Sequence, residues 1–134
     1  MPDPFKFELV SPARLVVSGD VEQVLVPGSE GDFTVLAYHA PVLTTLRPGV
    51  VDIVTAGGES VRYFVRGGFA EVGPAGLTIL AETAVDLAEM DASDLVQSIE
   101  NAEEDVQDAK DDLARDRAQT KLDQLRQVQG ALNL

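Results

Sequence analysis

The chain has 134 residues, of which 45% are hydrophobic, with 23 acidic against 10 basic side chains and a net charge of −13. That apolar content supports a real core, while the acidity argues against nucleic acid or an anionic membrane surface as partner, since both need clustered Lys and Arg. Cysteine is absent, which removes disulfides and thiolate chemistry.

Met1-Pro2-Asp3-Pro4 has neither a basic n-region nor an apolar h-region, so no secretory signal is expected. The longest apolar runs fall far short of the roughly 20 residues of a membrane helix, so no direct membrane insertion is expected. Composition changes near residue 88. All the prolines and aromatics precede it, and Gly130 is the only glycine beyond it. The change predicts two domains, 1–88 and 89–134.

Phe5-Lys6-Phe7-Glu8-Leu9 alternates with period two, which puts Phe5, Phe7 and Leu9 on one face of a strand. Ser11-Pro12 ends it, and Ser18-Gly19-Asp20 reads as a turn between Leu15–Val17 and Val21–Val26. In the latter, Val21, Gln23 and Leu25 fall opposite Glu22, Val24 and Val26. Gly28-Ser29-Glu30-Gly31 reads as a hairpin turn before the apolar run Phe33–Leu36. His39-Ala40-Pro41 and Arg47-Pro48-Gly49 punctuate the stretch between that run and Val50. Gly57-Gly58 marks a hairpin between Val50–Thr55 and Ser60–Val65. Arg66-Gly67-Gly68 and Gly73-Pro74-Ala75-Gly76 mark two more bends. Thr83–Leu87 closes the series as a short edge strand. About eight to ten short strands at this spacing predict an antiparallel β-sandwich or flattened barrel. In Val61–Arg66, the valines and Tyr63 share one face and Arg62, Phe64 and Arg66 the other. An outward Phe between two arginines is expected to form a contact patch.

Beyond residue 88 the period changes to that of a helix. Leu95, Ile99, Ala102, Val106, Ala109 and Leu113 form one apolar seam, with Asp91 as N-cap. Ala118, Leu122, Leu125, Gln129 and Leu132 form a second, out of phase with the first. The phase break fits a two-helix antiparallel hairpin that turns between about Gln107 and Asp116, with Asp108, Asp111 and Asp112 as candidate caps. One long bent helix is the alternative. The seams are thin and rich in alanine, so the hairpin is expected to be a weakly held arm.

Catalytic machinery is not expected. One histidine and no cysteine leave few nucleophile–base pairs, and His39 reads as a structural turn residue. Gly28–Gly31 lacks the Gly-Lys-Ser/Thr ending and the strand–helix setting of a phosphate loop. Glu103, Glu104, Asp105, Asp108, Asp111 and Asp112 lack the spacing of a calcium loop and read as a solvated helix face. No cofactor is expected.

Five stretches carry a resemblance: Gly28-Ser29-Glu30-Gly31; His39-Ala40-Pro41-Val42-Leu43-Thr44; Leu46-Arg47-Pro48-Gly49; Gly67-Gly68-Phe69-Ala70-Glu71-Val72; and Thr78-Ile79-Leu80-Ala81-Glu82. In order and spacing they resemble the ε subunits of bacterial F-type ATP synthase, a β-sandwich followed by a helical hairpin. The likeness covers about residues 4–90 by motif and 91–134 by architecture only. It implies a non-catalytic rotor subunit of the central stalk, bound to the γ subunit and the c ring, that couples proton flow to ATP synthesis. It implies a peripheral position on the cytoplasmic face of the bacterial inner membrane, through the complex. Ser29, Glu30, Gly31, Asp32 and the region of His39 would face the c ring, and part of the sandwich would pack on γ. The arm would extend to restrain ATP hydrolysis, with Arg115, Arg117, Lys121 and Arg126 meeting acidic helices of the α/β subunits. A free-standing sandwich module for a ligand or protein is the competing reading; it calls for a pocket with converging polar groups.

Two positions depart from the family pattern. Ala37-Tyr38 stands where the family has Pro, often followed by Gly, before the His, which bears on the geometry of that loop. Met90-Asp91-Ala92-Ser93-Asp94-Leu95 stands where some members carry an ATP-binding Ile/Leu-Asp-x-x-Arg-Ala motif. Asp94 replaces its phosphate-binding Arg, and a carboxylate there repels phosphate. Calorimetry is therefore expected to find no micromolar ATP binding; a saturable isotherm in that range contradicts this reading.

Overall fold

A computed structural model of the chain describes residues 3–132. The chain divides into a β unit, Met1–Ala88, and a helical unit, Glu89–Leu134.

The β unit holds seven strands: β1 (Phe5–Val10), β2 (Leu15–Gly28), β3 (Gly31–Val35), β4 (Val42–Thr45), β5 (Gly49–Thr55), β6 (Ser60–Gly73) and β7 (Gly76–Asp86). They run in the order β1-β7-β6-β5-β2-β3, β1 also pairs with β2, and β4 pairs with β6 off this path. The extra β1–β2 pairing closes the sheet on itself. Long strands make this possible by serving two neighbours in turn. β2 pairs with β1 through its first half and with β3 and β5 through its second. β6 pairs with β5 over Ser60–Val65 and with β4 over Phe69–Val72, and keeps β7 on its other side.

Seven strands replace the eight to ten expected because two bends read as turns lie inside strands. Gly19 in Ser18-Gly19-Asp20 is paired with Phe7 within β2. Gly67 and Gly68 sit inside β6 at φ 70° and 96°. Only glycine takes such angles freely, and a Cβ on Gly68 would collide with the carbonyl of Leu80 on β7. The two glycines bend β6 where its other neighbour changes from β5 to β4. Thr83–Leu87 likewise is not a separate strand; β7 runs on to Asp86. The expected hairpins at Gly57-Gly58 and at Gly73–Gly76 are present, the latter closed by pairing of Gly73 with Gly76.

Alternation selects the core. Phe7 and Leu9 of β1, Val24 and Val26 of β2, Val51 and Ile53 of β5, Val65, Ala70 and Val72 of β6, and Leu77, Ile79 and Ala81 of β7 are buried in one cluster. Val21 joins them, against simple alternation with Val24. A register shift in the β2–β5 ladder between Val21 and Gln23 turns both valines inward. Among the described residues no polar or charged side chain is buried.

In the helical unit, α1 (Ala92–Asp108) and α2 (Asp112–Ala131) pack on each other. Asp91 caps α1, accepting from the backbone N–H of Ser93 at 2.7 Å and of Asp94 at 3.4 Å. Asp111 caps α2 through the N–H of Ala114 at 2.7 Å. The turn is therefore Ala109–Asp111, inside the expected window, and the single bent helix is not formed. Leu95, Ile99, Ala102, Leu122 and Val128 are buried. Leu113, assigned to the first seam, lies beyond the turn and is exposed. Val128 takes the buried place that the second seam gave to Gln129, which is half-buried.

Substituting Gly68→Ala should lower stability by about 2 kcal/mol or more, through left-handed strain and the clash with Leu80. Gly19→Ala, with open space around its Cβ position, should change stability by less than about 0.5 kcal/mol. Thermal melts of the two variants check the pair, and equal melting temperatures contradict it.

Candidate partner interface

The β2–β3 hairpin presents Ser29 and Glu30 at its tip, between paired Gly28 and Gly31. Gly31 has φ 137°, a backbone angle that favours glycine. The tip is held from outside the hairpin. The Ser29 N–H donates to the Thr45 carbonyl at 2.9 Å, and the Ser29 and Thr45 hydroxyls are bonded at 2.7 Å. Gly28 bridges to Leu46, and the Arg47 N–H donates to the Pro27 carbonyl at 3.0 Å. The Arg47 guanidinium donates through Nε to Asp32 Oδ1 at 3.1 Å, and through Nη2 to the same oxygen. Both partners are half-exposed, so the ion pair adds about 1 kcal/mol at most. Its effect is positional: it ties the first turn of β3 to the segment entering β5.

The next loop packs on the same hairpin. The His39 ring lies 6.1 Å from that of Phe33, tilted by 38°. His39 Nδ1 is 2.7 Å from the Ala40 carbonyl, which can only accept, so this nitrogen carries the proton. The His39 N–H donates to Leu36 O at 3.2 Å. Tyr38 takes φ 67°, the only positive φ outside glycine among the described residues. That is the backbone conformation a Gly would take freely, and for Tyr it costs about 1–2 kcal/mol. Its ring is 91% exposed. Its hydroxyl donates to Asp3 Oδ2 at 3.1 Å, and this bond, then the Asp3 charge, raises the phenol pKa.

The fold thus brings Ser29, Glu30, Gly31, Asp32 and His39 together, and adds Thr45, Arg47 and Phe33, which sequence reasoning did not assign to the site. Arg47 was visible only as part of a turn, because its carboxylate partner lies on another strand. The group has hydrogen-bond donors, the carboxylates of Glu30 and Asp32 and an imidazole, all at or near the surface. It has no buried base beside a nucleophile.

The other expected residues lie elsewhere. Arg62 is exposed on β6, across from Asp52 of β5. Arg66 is half-buried and donates through Nη2 to Thr83 Oγ1 at 3.2 Å. The outward Phe64 is a correction. Val65 joins the core cluster and Phe64 does not, as alternation requires, yet Phe64 is only 4% exposed. Its cross-strand partners Val50 and Val85 flank it on the same face. A pattern within one strand cannot reveal that burial, and Phe64 offers no exposed ring between the two arginines. On α2, Arg115, Arg117, Lys121 and Arg126 are exposed or partly so, with Arg115 3.5 Å from Asp112 one turn earlier.

A groove of about 480 Å³ runs beside Tyr38 and His39. Its lining includes the apolar residues Phe5, Leu36 and Val72, with Lys6 as a charged member. Among the described residues no helix is long and apolar enough to cross a membrane, and no three His, Cys, Asp or Glu side chains form a metal cluster.

A family model described as ATP synthase, Delta/Epsilon chain, beta-sandwich domain, matches residues 4–87. The chain is 54% identical over 132 residues to the ATP synthase epsilon chain of Mesorhizobium japonicum, covering 98% of each. It is 52% identical over 128 residues to that of Parvibaculum lavamentivorans, covering 96% of this chain and 97% of the other. Among solved structures it resembles a chain of the Euglena gracilis mitochondrial ATP synthase, in an assembly of OSCP, F1 and c-ring. The TM-score there is 0.83 at 26% identity, covering 98% of this chain and 83% of that one. A chain of the Tetrahymena thermophila mitochondrial ATP synthase central stalk and c-ring shares the fold, with a TM-score of 0.68 at 16% identity. With a sandwich, a helical pair and near full-length identity to bacterial epsilon chains, this protein belongs to the ATP synthase delta/epsilon family, as one of its epsilon chains.

Proposed function

We propose that the chain works as the ε subunit of a bacterial F-type ATP synthase, a non-catalytic part of the central stalk that turns with the γ subunit and the c ring. The observation that carries this is the match to bacterial epsilon chains along both units, at 54% identity over 98% of the chain. The described geometry supports it. A closed, hydrogen-bonded sheet is stiff, as a part that transmits torque must be. Its surface loops are locked by contacts between distant segments, which lowers the entropy lost on docking. The hairpin tip Ser29–Asp32, with Arg47 behind it and His39 beside it, is the part of the sandwich assigned to the c ring. The protein would then lie at the cytoplasmic face of the inner membrane, held there by the complex.

The arm is assigned a regulatory role. α1 carries Asp94, Glu100, Glu103, Glu104, Asp105 and Asp108 and no cation, whereas α2 carries Arg115, Arg117, Lys121 and Arg126. The exposed cations of α2, interspersed with Asp112, Asp116 and Asp123, suit acidic helices of the α/β subunits, and few buried side chains are found on the two helices among the described residues. Such a unit opens at low cost compared with the sandwich.

Two outcomes are expected. The full chain should co-purify with γ as a stoichiometric complex; a chain that elutes alone contradicts the rotor assignment. In the assembled enzyme, deletion of residues 89–134 should raise ATP hydrolysis several-fold, and unchanged hydrolysis rejects the regulatory part alone.

A further inference from the structure

Tyr38 is held in a conformation that folding does not ask for. Its φ of 67° is one that glycine adopts freely. A strained residue often completes a core, but this ring is 91% exposed and stands apart from the core cluster. Its hydroxyl donates to Asp3 Oδ2 at 3.1 Å, an exposed bond that returns little stability. A side chain that costs stability and fills no interior is explained by what it presents at the surface.

What it presents is a fixed aromatic face. The turn behind it is closed by the His39 N–H on the Leu36 carbonyl at 3.2 Å, and the far end of the ring is tethered to Asp3. Fixed at both ends, the ring has little rotamer freedom left to lose on docking. It shares the lining of the groove described above with Leu36, which is 47% exposed. Lys6, the cation of that groove, is already engaged by Asp20 at 3.1 Å. A π face with a carboxylate at its edge, on a chain of net charge −13, attracts a cation. The site adjoins the hairpin tip, because the next residue, His39, lies ring to ring with Phe33 of β3 at 6.1 Å.

We infer that Tyr38 is a docking residue that takes a partner's guanidinium over its ring, with the arginine's methylene stem on the apolar wall to which Leu36 belongs. Arginine fits better than lysine, because its planar head stacks on an aromatic face and sheds water more readily than an ammonium. The inference rests on the proposed function for the partner's name: the neighbouring hairpin tip is assigned to the c ring, so the arginine is the c ring's. The strain at Tyr38 is then a cost in folding that is offset on assembly.

The test is binding of the γ complex of the full-length chain to c ring in proteoliposomes, with thermal melts of each variant alongside. Tyr38→Gly relieves the strain, so it should melt no lower than the wild type and yet bind about tenfold more weakly. A residue with a merely structural role would not separate the two readouts. Tyr38→Leu keeps apolar bulk without a π face and should weaken binding by a similar factor. Tyr38→Phe keeps the ring, loses the bond to Asp3, and should stay within about threefold of the wild type. Wild-type affinity in Tyr38→Gly overturns the assignment. If Tyr38→Gly melts early, the Leu and Phe variants, which share the same backbone demand, decide the matter, and equal affinities for the two overturn it. A dimer of the free chain that Tyr38→Leu dissolves assigns the ring to a second copy and overturns it as well. An unaltered complex that does not bind the c ring overturns the proposed function instead, and the partner's name with it.

Discussion

Backbone pairing along β6 is what the β unit depends on. From Tyr63 to Gly73 this fourteen-residue strand keeps β7 on one side while its other neighbour changes from β5 to β4. The change falls between Val65, the last residue paired with β5, and Phe69, the first paired with β4. The left-handed pair Gly67-Gly68 supplies the bend. Because the Gly68 Cα faces the Leu80 carbonyl so closely, β6 and β7 stay together through it. Closure of the sheet, the inward face of Val65 and Ala70, and the outward face of Phe69 all depend on that one local geometry.

The two units differ in how much holds them. The sandwich has a continuous apolar core to which six of its strands contribute buried side chains, with no buried polar group among the described residues. Burial of that kind is worth about 25 cal/mol per Å², and every ladder bond adds to it. Among the described residues the helical unit has two capped helices and five buried side chains, one of them alanine. Its caps contribute about 1 kcal/mol each. The difference between the two units comes from composition.

At the surface, charge and contact are kept apart. Cations near the hairpin are already engaged, Arg47 with Asp32 and Lys6 with Asp20. On the arm, α1 carries acidic side chains and no cation, whereas α2 mixes Asp112, Asp116 and Asp123 with Arg115, Arg117, Lys121 and Arg126. Tyr38 retains an exposed aromatic ring on a strained backbone, tethered at its hydroxyl to the exposed Asp3.

Local signals were legible in the chain alone. Period-two spacing placed Phe7 and Leu9 inward, Gly57-Gly58 marked a hairpin, Asp91 and the 107–116 window marked the helices, and the motif order identified the family. These depend on neighbours within a few residues, where φ preferences and side-chain periodicity act. Tertiary structure alone decided the rest. The register shift at Val21–Gln23, the bend that joins two expected strands into β6, the placing of Val50 and Val85 on either side of Phe64, and the pairing of Arg47 with Asp32 each need a second segment farther along the chain. A chain spells out which face each residue prefers, but which residue stands beside it is set by hydrogen-bond register, and register is a property of two segments at once.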